Sequence, residues 1–201
     1  MVPSAYIPRI PVSEKGFLFG VIMKTKLKSR YRISELTDKN IDEANNVRLS
    51  SWLETYVNED LGITREWIHE RNQLQLTDDA KKKRLEQLTN PNFAGWVATD
   101  EMGKVVGVVA PYVDESGHLH VGSLYVNSEW HRKGVGGALM QKVISWCDPK
   151  NPIELGVATY NKRAKAFYQK WGFEEIPDSE RLFANKIPEI MMIRKGDSDE
   201  V

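Results

Sequence analysis

Cysteine is almost missing from this sequence: Cys147 is the only one among 201 residues. A single thiol excludes an internal disulfide and fits a reducing compartment, so the expectation is a cytoplasmic protein. Its surroundings offer neither a base nor a source of depressed pKa, and a buried structural thiol is the simpler reading. Long apolar runs are lacking too. The longest near the start, Phe17 to Met23, is far too short to cross a bilayer. It also lacks the preceding positive region and the cleavage site of a secretory signal, so no membrane association is expected. No sign of charge dominates: 28 Lys and Arg balance 28 Asp and Glu. No broad basic field is present to recruit nucleic acid or acidic lipid. There is no internal repeat, and no metal is expected. The length suits one domain with a substantial core.

The richest stretch is Leu124 to Leu139, LYVNSEWHRKGVGGAL. Strand-forming residues give way to a polar loop, then to Gly134, Gly136 and Gly137. From Ala138 the spacing of Leu139, Met140, Val143, Ile144 and Trp146 predicts an amphipathic helix. The first N–H groups of a helix have no partner within it and lie at the positive end of its dipole. Glycines let an oxygen-rich ligand approach them closely. With Arg132 and Lys133 just before the turn, the expectation is a diphosphate held mainly by backbone.

Three patterns place a diphosphate this way. A nucleotide P-loop needs Lys and Ser or Thr after the last glycine, where Ala138 and Leu139 stand. A dinucleotide fingerprint needs a third Gly or Ala where Leu139 stands, and a strand running almost directly into the first glycine. Leu124, Val126 and then His131-Arg132-Lys133-Gly134-Val135-Gly136 resemble the acetyl-CoA signature of the GCN5-related N-acetyltransferase (GNAT) family. One departure is His131, where that family usually carries Gln or Arg. Downstream, an apolar strand (Ile153 to Ala158) precedes Asn161, Ala164, Phe167-Tyr168 and Gly172-Phe173, again at spacings similar to the family's. The specific motifs occupy 119–173, and the resemblance as a whole extends over about 30–195.

Read in order, residues 1–29 form a Pro-punctuated segment without periodicity, expected to be a flexible extension. Met23 is a candidate natural start, an idea that detection of native peptides from 2–22 would end. Tyr31 to Leu36 predicts a strand, and Thr37 or Asp38 a cap for a helix bearing Ile41, Ala44, Val47, Trp52 and Leu53. Thr64 caps a second helix with Trp67, Ile68, Arg71 and Leu74, and Asp78 to Leu88 a third, whose Lys81 to Lys83 read as solvated surface. A three-strand meander follows over 95–126. Then come the glycine-loop helix, the strand Ile153 to Ala158, a helix from Asn161 ending at Gly172, and a hairpin of Phe173 to Ile176 with Ile190 to Arg194. The expected fold is α/β (α+β): a GNAT-like mixed, mostly antiparallel, splayed central sheet with helices on both faces. Residues 196–201 read as an acidic tail.

What the resemblance implies is an N-acetyltransferase using acetyl-CoA as co-substrate on a primary amine of a small molecule or peptide, by direct attack in a ternary complex. The cofactor set it implies is Leu124, Tyr125, Val126, His131, Arg132, Lys133, Gly134, Val135, Gly136, Gly137, Asn161 and Tyr168, with the Val126 N–H as an oxyanion donor. Tyr168 is the implied general acid, against a core aromatic beside Phe167. Asn161 either caps its helix alone or also binds the cofactor. His120 is the candidate base, with His118, Glu54, Glu59, Asp60 and water as alternatives, although a plain surface or packed histidine is the simpler reading of either. Trp52, Tyr56 and Glu59 are the candidate substrate contacts, with Trp67 nearby. The carboxylates of Glu54, Glu59, Asp60, Asp114 and Glu115 would suit a cationic amine. A non-catalytic acyl-CoA-binding module and a dinucleotide oxidoreductase are the competing classes, and edge-strand pairing makes a homodimer a reasonable expectation.

Overall fold

The structure, a computed structural model, describes residues 30–196. The N-terminal extension, the Met23 start and the acidic tail beyond Gly196 lie outside the described residues. Residues 31–196 form one compact unit. Among the described residues no helix is long and apolar enough to cross a membrane.

The strands are β1 (Tyr31–Glu35), β2 (Trp96–Asp100), β3 (Val105–Val113), β4 (Leu119–Val126), β5 (Ile153–Ala158), β6 (Glu174–Glu175), β7 (Arg181–Phe183) and β8 (Ile187–Arg194). They make one sheet in the order β1-β2-β3-β4-β5-β8-β6, with β7 also on β8. Every pairing is antiparallel except β4 with β5. The helices are α1 (Ile41–Thr55), α2 (Arg65–Gln73), α3 (Asp78–Gln87), α4 (Val135–Trp146) and α5 (Lys162–Gln169). This is the expected mixed, mostly antiparallel sheet with helices on both faces.

β3 shows why. Val106 and Val109 enter a core shared with Leu139, Met140 and Val143 of α4, while Val105 and Val108 enter another shared with Ile41, Ala44 and Val47 of α1. A strand covered on both faces has no polar side to show, hence its nearly unbroken apolar run.

Three local expectations are corrected. Neither Thr37 nor Asp38 caps α1. Asn40 stands at that position, accepts from the Thr37 N–H at 2.8 Å and donates to the Glu35 carbonyl at 3.0 Å, stitching the turn instead. Helix α4 begins at Val135 rather than Ala138, because Gly134, at φ +87°, makes the left-handed turn that starts it. Helix α5 runs to Gln169, and Gly172 takes the expected C′ position, its left-handed turn (φ +82°) closed by its N–H to the Gln169 carbonyl at 3.0 Å and by the Phe173 N–H to the Tyr168 carbonyl at 3.2 Å. The closing hairpin gains a strand, β7, inside the Pro- and charge-rich loop.

Candidate active site

β4 and β5 are paired only at Leu119 with Ile153 and His120 with Glu154. Beyond that they diverge. Gly122 is an extra residue in β4, between the Val121–Pro111 and Ser123–Ala110 pairs, and such a bulge bends a strand away from its neighbour. A groove of about 600 Å³ occupies the divergence. Leu124 and Val126 line one wall, Gly156 and Val157 the other, and α4 and α5 close the end.

At that end the N–H groups of Gly134, Val135, Gly136 and Gly137 find no acceptor among the described residues; the first amide of the helix to be paired is Ala138, to the Gly134 carbonyl at 3.0 Å. Gly134 must be glycine for two reasons: its positive φ, and the Tyr31 hydroxyl 3.0 Å from where a Cβ would lie. The open amides and the cations Arg132 and Arg163 border the same groove.

Most of the expected cofactor set lines this groove: Leu124, Tyr125, Val126, His131, Arg132, Gly134, Gly136, Gly137, Asn161 and Tyr168. Val135 turns its side chain into the core and offers only backbone. Lys133 lays its ammonium over the Trp130 ring, 5.1 Å from the centroid. Arg163, Lys170 and Trp171 also line the groove and were missed; their signal was the first and last turns of the helix after Asn161. Asn161 does cap α5, accepting from the Ala164 N–H at 3.0 Å.

Tyr168 is buried in the groove wall, edge-on to Phe167 and Phe173. Its hydroxyl has no hydrogen-bond partner among the described residues, and burial, reinforced by Tyr125, pushes its pKa well above the ordinary phenol value. Tyr125 accepts from the Trp52 indole N–H at 2.9 Å and is likewise pushed up by burial, as is Tyr56. Ser51 completes this wall: its hydroxyl is buried with no hydrogen-bond partner among the described residues.

The other candidates lie elsewhere. His120 sits at the paired end of β4, outside the groove lining; its Nε2 is 2.8 Å from Asp114 Oδ2 and its ring stacks on Tyr112. That contact, with the His118 backbone N–H, holds the Asp114 carboxyl below its usual range. His118 is exposed, 3.8 Å from Glu154. Glu59 and Asp60 are exposed in the single turn Glu59–Leu61, Glu54 accepts from Ser128 at 2.9 Å, and Glu115 is exposed in the β3–β4 turn. None of these acids lines the groove. Tyr56 does, whereas Trp52 lies behind Tyr125 and borders a second cavity of about 280 Å³.

Residues 61–173 match the model of the Acetyltransferase (GNAT) family. The chain belongs to that family. Curated relatives include the uncharacterised N-acetyltransferase Rv2669 of Mycobacterium tuberculosis, 32% identical over 91 residues, which are 44% of this chain and 58% of that protein. UPF0157 protein YqkA of Bacillus subtilis is 33% identical over 89 residues, 44% of this chain and 25% of that protein. The chain thus spans little more than half of the first and a quarter of the second. Among solved structures, the PaiA N-acetyltransferase of Thermoplasma acidophilum in complex with coenzyme A superposes with a TM-score of 0.68 at 17% identity, covering 82% of this chain and 98% of that one. Ard1 of Thermoplasma volcanium gives 0.61 at 23% identity, covering 84% and 99%. At these identities the likeness establishes the GNAT fold.

Proposed function

We propose that this GNAT chain transfers the acetyl group of acetyl-CoA to a primary amine of a small molecule or peptide. One observation carries the reading: four unpartnered amides open α4 at the end of a groove between two diverging strands. Those amides and Arg132 receive the diphosphate. The pantetheine arm lies along β4 as an added strand, where β5 has left that edge unpaired. That a structural neighbour, PaiA, was crystallised with coenzyme A supports this placement.

The Asn127 N–H donates to Val106 on β3 at 3.0 Å, so the alternation of a strand turns the Val126 N–H to the opposite, groove-side edge. There it polarises the thioester carbonyl. The amine nitrogen attacks that carbon, the C–N bond forms, and the C–S bond breaks. Tyr168, a phenol that is protonated at neutral pH, gives its proton to the departing thiolate and recovers one from the attacking nitrogen, which sheds it as the amide forms. The acceptor's pKa is about 10, so it must lose a proton before attack. Among the described residues no carboxylate lines the groove, and His120 lies outside it, so that proton leaves to water.

Calorimetry with acetyl-CoA and measurement of free CoA release over a panel of amines test this. Tyr168→Phe is expected to lower kcat by about 10²–10⁴-fold with acetyl-CoA affinity retained, and His120→Asn to leave kcat within about twofold. No binding of acetyl-CoA removes the whole reading. Binding without release for any amine selects a non-catalytic acyl-CoA module, which the lack of a side-chain base in the groove would favour.

A further inference from the structure

Tyr125 lines both the groove and the second cavity. The reaction above leaves the second cavity unused. Its walls come from α1, α2, α3 and the bulged part of β4, and its charged lining is entirely basic: Arg48, Arg71 and Arg84. Among the described residues no Asp or Glu lines it, and none of the three arginines has a carboxylate within 4.0 Å.

Arg48 is only 8% exposed, and its partners are neutral: Asn45 Oδ1 at 3.1 Å and Ser123 Oγ at 3.4 Å. Arg84 donates to the same Asn45 oxygen at 3.3 Å and to Gln75 Oε1 at 3.2 Å. One amide oxygen therefore holds two like charges side by side, an arrangement that repels unless an anion sits between them. Arg71, at the exposed mouth, lies 6.0 Å from the Trp52 ring and 5.6 Å from that of Phe183, fixed by aromatic faces rather than by hydrogen bonds. Each guanidinium carries five donors in a planar fork suited to a carboxylate or phosphate, and most of these donors remain free.

Building on the acetyl-transfer reading, we infer that the acceptor is an amine bearing an oxyanion, a carboxylate or a phosphate, which Arg48, Arg71 and Arg84 hold while the amine reaches past Tyr125 to the thioester. This replaces the cationic acceptor that the acidic residues suggested; those carboxylates line neither cavity. The small volume suits a compact group of about amino-acid size.

Matched pairs test it: amino acids and dipeptides against their C-terminal amides, and amino sugar phosphates against the unphosphorylated sugars. The charged member is expected to have at least about tenfold higher kcat/KM. A gain in the acid–amide pairs alone identifies a carboxylate, and a gain in the sugar pairs alone a phosphate. Arg71→Gln and Arg84→Gln should each raise KM for the charged member about tenfold and narrow its advantage over the neutral member, with acetyl-CoA affinity retained. Preference for the neutral member, or for a polyamine, overturns the inference. A second measurement needs no turnover: thermal melting with acetate or inorganic phosphate, comparing wild type with Arg71→Gln. A larger rise for wild type upholds the anion site even if no amine is acetylated. Equal rises overturn the site even if acetylation occurs.

Discussion

His131 stands where GNAT signatures usually carry Gln or Arg, and its two ring nitrogens do different work. Nε2 lies 2.8 Å from the Val126 carbonyl, which can only accept, so Nε2 carries the proton. Nδ1 faces the Arg163 guanidinium at 3.1 Å, which can only donate, so Nδ1 accepts. The ring is therefore neutral, and it pins the strand end that offers the Val126 N–H to the groove. Burial first, then Arg163, lowers its pKa. A lowered histidine pKa means that the folded state favours the neutral ring. Its contribution to stability is present above the unfolded value of about 6.5 and is lost as the pH falls through the folded value. Nitrogen-15 NMR of the ring should show the Nε2–H tautomer at pH 7 and a midpoint below about 6.5. A midpoint above that, or the Nδ1–H tautomer, would mean that the Arg163 contact does not form in solution.

At the scale of elements, the anion site depends on how closely α4 starts against β3. A Cβ at Gly107 of β3 would lie 3.0 Å from Val135 Cγ1 and 3.1 Å from Leu139 Cδ1, both in the first turns of α4 and both fully buried. Gly107→Ala makes these two side chains, or the helix start that carries them, give way by a few tenths of an ångström. The expected cost is about 1–3 kcal/mol in urea denaturation, with weaker acetyl-CoA binding by calorimetry. Lost stability with unchanged affinity would show that the α4 amides are not what grips the ligand. The strand–turn–helix–strand–helix run from β4 to α5 was readable in the sequence because each of its signals is local: a glycine turn, a capping Asn, a period. The start of α4 was misplaced because Gly136 and Gly137 are poor helix formers, yet helix–sheet packing overrides their propensity. β7 has three residues, too few for any alternation to show. The arginine cavity could not be read at all. Its cations sit singly on α1, α2 and α3, where Arg71 looked like part of an apolar stripe and the basic run of α3 like plain surface.

Over the whole molecule, distant parts of the chain meet in one cluster of phenols. Tyr56 follows α1, Tyr125 lies on β4 and Tyr168 on α5, and all three line the groove. Burial raises the pKa of each, and Tyr125 adds to the rise at both Tyr56 and Tyr168. The sign for stability follows directly. Between the unfolded phenol value of about 10 and the higher folded values, the native chain keeps protons that the unfolded chain releases. The stabilisation is fully present below about pH 10 and is lost as the pH rises through the folded values. Each phenol can contribute at most about 1.4 kcal/mol per pH unit over that window. Lysines titrate there as well, so the measurement is a comparison: urea unfolding of wild type and of Tyr168→Phe, from pH 8 to 11. The variant removes one ionisable group and keeps the packed ring, so the two stabilities should run parallel up to about pH 10 and then converge or cross, with wild type falling faster. Parallel curves throughout would mean that solvent reaches the Tyr168 hydroxyl freely. The phenol would still hold its proton at neutral pH, and its part in the transfer would then rest on its position alone.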